Sequence, residues 1–134
     1  MTYFQWDSRY DLGVDNMNTE HRGLVNLMNR LYDQNAAGAT HAELAATLGE
    51  LERATVGHFA SEERYQASLG SPGLSGHKRI HEQLLTSFGE HKAEFVAKGG
   101  GLSQGFFAFL KMWLAAHIAG IDRKYADHAH KRAS

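Results

Sequence analysis

Apolar side chains recur at intervals of three and four through four long tracts of this chain, the period of a helix with one buried face, and nowhere alternate as a half-buried strand requires. The first tract starts at Asn18, an N-cap type, and runs to Ala37 before Gly38, with His21, Leu24, Met28 and Leu31 on one face. The second opens on Thr40, three residues before Glu43, the spacing of a capping box, and stops at the turn Gly70-Ser71-Pro72-Gly73. Its stripe is Leu44, Leu48, Leu51, Thr55, His58, Glu62, Tyr65 and Leu69, with steps of 4, 3, 4, 3, 4, 3 and 4, the seam of a helix in a bundle.

The third tract, 75–98, carries His77, His81, Leu84, Phe88, His91 and Phe95 at the same spacing and ends at Gly99-Gly100-Gly101. The fourth starts at Ser103, carries Phe106, Leu110, Trp113 and His117, and continues to at least Asp122 and Tyr125. Four helices joined by short turns predict an all-α fold, an antiparallel up-down-up-down four-helix bundle with an irregular N-terminal arm. The expected organisation is a single domain over 1–134, with 1–17 as the arm, 18–126 as the bundle and 127–134 as a basic tail.

Composition narrows the chemistry. Fourteen Lys and Arg against fifteen Asp and Glu leave a formal charge of -1, which gives no basic surface for nucleic acid or an anionic membrane. With no cysteine, thiolate nucleophiles, zinc ribbons and Cys-ligated iron–sulfur clusters are excluded. The longest apolar tract, Phe106 to Ile121, is interrupted by Lys111 and His117, so no membrane insertion and a cytoplasmic location are expected. The unusual quantity is histidine: nine, against eight Arg and six Lys.

Several of those histidines, and one glutamate, stand in seams. A buried carboxylate costs several kcal/mol unless a cation faces it. Lys and Arg are absent from the four stripes, which leaves a metal ion held by neutral imidazoles as the simplest counter-charge to Glu62. Residues i and i+4 project together about 6 Å apart, so His58 with Glu62 and His77 with His81 can converge. Height along the bundle follows at about 1.5 Å per residue. His21 near the start of the first helix, His58 and Glu62 late in the second, His77 and His81 at the start of the third, and His117 with Asp122 late in the fourth all fall at one pole. Five imidazoles and two carboxylates are too many for one ion and suit two metals bridged by carboxylates. His91 lies about 15 Å along the axis from His81 and His41 starts the second helix at the far pole, so neither is expected to ligate. His128 and His130 in the tail are likewise read as non-ligands.

Taken together, Gly13-Val14-Asp15 with Glu20-His21, the His58 to Glu62 and His77 to His81 pairs, and the tract Trp113 to Asp122 closely resemble the hemerythrins, specifically the single-domain bacterial hemerythrins. The resemblance implies that His77, His81 and His117 hold one iron and His21 and His58 the other, with Glu62, Asp122 and an oxo or hydroxo oxygen bridging the pair. It also implies one open coordination position, on the two-His iron, for dioxygen, with Leu24, Phe59, Trp113, Leu114 and Ile118 as the oxygen pocket. The expected function is reversible dioxygen binding for carriage, storage or delivery, and not catalysis. The alternatives are an oxygen or redox sensor acting through a partner protein, and a di-iron oxidase or ferroxidase-type enzyme. The carboxylate-rich di-iron bundles use four Glu with paired Glu-x-x-His motifs, a set this chain lacks. Asn18 departs from the family's Asp at that position. Asp122 follows His117 by five residues, about 140° round an ideal helix, so a local irregularity is expected near Gly120.

Overall fold

The computed structural model describes residues 3–6, 10 and 15–118. Four helices follow in order, α1 (Asp15–Ala36), α2 (His41–Leu69), α3 (Leu74–Lys98) and α4 (Gln104–Ala116), with no strand among the described residues. The α1 face packs on α2 and α4, and α2 packs on α3. Ring contacts between Phe88 and Phe106, and between His91 and Phe109, close the circle from α3 to α4. The chain therefore rises and falls twice around one core, the up-down-up-down bundle that the four amphipathic tracts predict.

Local chemistry sets most boundaries. The Thr40 hydroxyl accepts from the Glu43 backbone N–H at 3.1 Å, one half of the predicted capping box, and Ser103 does the same for Phe106 at 3.2 Å. Gly70 closes α2 in the left-handed region at φ 64°, where a side chain would be strained. The first boundary differs from expectation: α1 opens at Asp15 and Asn18 lies inside it rather than capping it. The cause is Met17, four residues before His21 and 1% exposed, which extends the buried stripe by one turn upstream.

Most of the predicted seam positions form the observed core, although Tyr65, Leu69, Leu84 and His91 are only half-buried and Phe107 joins the core from outside the predicted stripe. Met28, Leu31, Leu44, Leu48, Leu51, Phe106, Phe107 and Leu110 are buried, each contributing roughly 1.5–3 kcal/mol of transfer free energy. Two asparagines clamp irregular backbone to the bundle. Asn29 accepts from the Phe4 N–H at 2.8 Å and donates to its carbonyl at 2.9 Å, while Asn35 accepts from Leu102 N–H at 2.8 Å and donates to its carbonyl at 3.2 Å. The first clamp seats the N-terminal arm. Tyr3 stacks on Tyr32 at 4.1 Å and Arg22 lies over the Trp6 ring at 5.0 Å, so both aromatics cover the bundle as lids. The second clamp belongs to the pole where His41 Nδ1 meets the Gly100 carbonyl at 3.0 Å.

The irregularity is expected near Gly120, which lies outside the described residues; directly after α4, His117 and Ile118 are π-helical. An i→i+5 turn inserts a residue and brings positions five apart towards one face. Asp122, His128 and His130 lie outside the described residues. None of the helices, among the described residues, is long and apolar enough to cross a membrane.

Candidate metal centre

Alternating helix direction delivers six of the seven candidate ligands to one end of the bundle. His21 comes from the second turn of α1, His58 and Glu62 from successive turns of α2, His77 and His81 from the first turns of α3, and His117 from the π-helical turn that follows α4. All six are buried, and Glu62 is 0% exposed.

The donor atoms form two groups that share one residue. One atom from each of Glu62, His77, His81 and His117 falls within 4.8 Å of every other, and so do atoms of His21, His58 and Glu62. Around Glu62, Oε1 lies 3.1 Å from His58 Nε2, 3.3 Å from His81 Nε2 and 3.8 Å from His117 Nε2, while Oε2 lies 3.6 Å from His21 Nε2. His117 Nε2 is also 3.1 Å from His77 Nε2 and 3.3 Å from His81 Nε2. Three ring nitrogens from two helices thus point at one small volume, and two more point at its neighbour, with a carboxylate between them.

Outside this ring of donors stands a layer that the seam pattern did not reveal. The Glu20 carboxylate accepts from His58 Nδ1 at 2.7 Å and from the Ser61 hydroxyl at 2.9 Å. Glu63 accepts from His81 Nδ1 at 3.0 Å, and the Gln66 side-chain amide meets His77 Nδ1. A carboxylate can only accept, so in neutral His58 and His81 the proton sits on Nδ1 and the Nε2 lone pair faces inward. Ring nitrogens gathered 3.1 and 3.3 Å from one another beside a carboxylate suit a cation, and outer bonds to Nδ1 are the arrangement typical of metal-binding histidines. The donor set therefore fits metal ions: imidazole nitrogens with a shared carboxylate suit iron or zinc rather than calcium or magnesium.

Charge follows the same geometry. Burial pushes the Glu62 carboxyl upward, but hydrogen bonds that the imidazoles of His117, His21, His58 and His81 donate when their inward nitrogens carry a proton outweigh it and hold the group well below the ordinary carboxylate range. Burial also raises Glu20, and its bonds to His58 and Ser61 reverse the sign, leaving it lowered. Both carboxylates are accordingly anionic at neutral pH, one inside the donor ring and one behind it.

Aromatic and aliphatic groups close the surroundings. Phe59 lies flat on His81, with centroids 3.9 Å apart and planes 4° from parallel, and meets Trp113 edge-on at 5.5 Å. Trp113 in turn contacts His117 at 6.0 Å. Leu24, Leu114 and Ile118 are buried with them. His91 stacks on Phe109 and His41 on Phe95, and neither belongs to either donor group. Glu20, Glu63 and Gln66 left a partial signal in the sequence: the first two adjoin ligand-stripe residues, and Gln66 continues the i, i+4 progression from His58 and Glu62.

Comparison with known proteins agrees with this construction. Residues 12–129 match the family model described as the hemerythrin HHE cation binding domain. The chain is 30% identical to the bacteriohemerythrin of Stenotrophomonas maltophilia over 127 residues, which is 95% of this chain and 82% of that protein. It is 36% identical to the myohemerythrin of Riftia pachyptila over 122 residues, 91% of this chain and 90% of the other. A crystal structure of a single-residue variant of a hemerythrin superposes with a TM-score of 0.87 at 25% identity, covering 96% of this chain and 98% of its own. A wild-type hemerythrin gives 0.85 at 25% identity, covering 93% and 96%. With its four helices, its paired histidine groups and a family match across nearly its whole length, the chain belongs to the hemerythrins, the family known for binding dioxygen at a di-iron site.

Proposed function

We propose that this protein binds dioxygen reversibly at a di-iron centre and serves as an oxygen carrier, store or local supplier. The observation that carries the reading is the inequality of the two donor groups: three imidazoles on one side of Glu62 and two on the other. His77, His81 and His117 would hold one iron, His21 and His58 the second, and Glu62 with Asp122 would bridge them. When bound, the iron pair supplies two electrons and one open coordination position on the two-His side.

What the chain itself contributes is selective. Five neutral imidazoles with only two carboxylates favour the reduced, ligand-binding state over the anionic environment that drives oxidation. Glu20 and Glu63 hold His58 and His81 in the tautomer that presents Nε2 inward. The buried side chains of Phe59, Trp113, Leu24, Leu114 and Ile118 would surround the centre and limit water and proton donors there, which disfavours loss of a reduced oxygen product.

The test is to reduce the iron-loaded protein, admit oxygen while recording the visible spectrum, and sweep the gas out again. A charge-transfer band that forms and vanishes over repeated cycles supports carriage. Sustained oxygen consumption with stoichiometric product over many turnovers would assign the site to an enzyme instead.

A further inference from the structure

On the outer side of the α1–α2 seam, among the described residues, runs an open groove of about 460 Å³. Its walls and floor include Glu20, Gly23 and Leu24 from α1 and Gly57, His58 and Ser61 from α2. Leu24 and His58 are buried, whereas Gly23 and Gly57 are exposed. The groove thus descends from solvent to the buried His58 imidazole and to buried Leu24 beside it, with Leu27, Ala54 and Arg64 also on its walls.

The two glycines have no local reason to be there. Glycine in mid-helix is among the least favourable residues, neither position has a positive φ, and a Cβ built on either meets nothing within 4 Å. They serve neither a turn nor close helix packing, and their effect is to leave the groove open above Leu24. The opposite approach is different: there Phe59 lies on His81 and Trp113 closes against Phe59 and His117. At the floor of the groove the His58 ring is tied by the Glu20 carboxylate, itself held by Ser61, and cannot swing aside without breaking those bonds. The Leu24 side chain, buried at the floor, has no polar group to tether it and can move aside by exchanging one staggered rotamer for another.

We propose that this groove is the route by which small ligands reach the two-His side of the centre, with Leu24 as the gate and Gly23 and Gly57 keeping the approach clear. The inference rests on the oxygen-binding reading above. It makes access a kinetic property of α1 and α2, separate from the groups that set affinity.

The experiment fills the groove. In the iron-loaded, reduced chain, Gly23→Leu with Gly57→Leu replaces two poor helix formers by good ones, so folding is favoured. Gly89→Leu, at another exposed mid-helix glycine, in α3, is the control. Oxygen association and dissociation are followed by stopped flow. In the filled variant both rate constants fall by the same factor, about tenfold if the path then opens one time in ten, and the equilibrium affinity stays that of the parent. The control matches the parent. Unaltered rates in the filled variant, or a fall in affinity without a matched fall in both rates, would overturn the route. A parent chain that shows no reversible band at all would refute the oxygen-binding reading and this inference with it.

Discussion

The most direct test of the centre is made outside it, at Glu20. This carboxylate touches no metal position, yet it fixes the His58 ring through a 2.7 Å bond to Nδ1 and is itself fixed by Ser61 at 2.9 Å. Removing such an outer partner typically weakens metal binding by about 10- to 100-fold, or about 1.4–2.7 kcal/mol. Glu20 is 32% exposed, so water replaces part of what is lost and the conservative change should lie at the low end. Glu20→Gln keeps an acceptor for the Nδ1 proton but removes the charge, and a loss of about tenfold or less is expected; Glu20→Ala also frees the ring to turn and should approach the upper figure. The assay is anaerobic titration of the apo-protein with ferrous iron against a competing chelator, with iron per chain counted after gel filtration. The expected signature is selective, with one iron weakened and the other retained. Glu63→Ala should weaken the iron held by His77, His81 and His117 instead, because Glu63 orients His81. If Glu20→Ala binds both irons as tightly as the parent, or both variants shed the same iron, the claim that these carboxylates orient separate ligands is refuted.

Other perturbations probe the ligands and the scaffold. His117→Ala removes one imidazole from the three-His group and should lower iron content or oxygen affinity; parent-like iron loading and spectra would contradict its assignment. His91→Ala should leave iron binding intact, since that ring packs on Phe106 and Phe109 rather than in either donor group, and loss of both metals on iron analysis would show the site misplaced. Stripping the metal with a chelator should lower the melting temperature, because a ligand bound only by the folded state adds about 2.7 kcal/mol at a hundred times its Kd; a calorimetric scan unchanged by the chelator would argue against a buried metal pair. Leu110→Ala, in the fully packed part of α4, should cost about 2–5 kcal/mol in urea unfolding while iron stoichiometry at saturation is kept.

Much of this molecule could be read along the chain. Steps of three and four name a buried stripe, and in a bundle of alternating helices a residue's position along its own helix is also its height, so His21, His58, Glu62, His77, His81 and His117 could be brought to one pole by counting. Their residue types carried the rest, since imidazoles around a carboxylate in an apolar seam need a cation. The chain by itself does not state how each helix is rotated about its axis or which neighbour it faces across a seam, because those follow from the simultaneous packing of all four. That is why Glu20, from α1, could be seen to orient His58 of α2, and Glu63, from α2, to orient His81 of α3, only once the helices were in place. The same holds for α1, whose extra turn depends on Met17 finding a place in the core, and for the groove, which exists because two unremarkable glycines on different helices come to stand on either side of one seam.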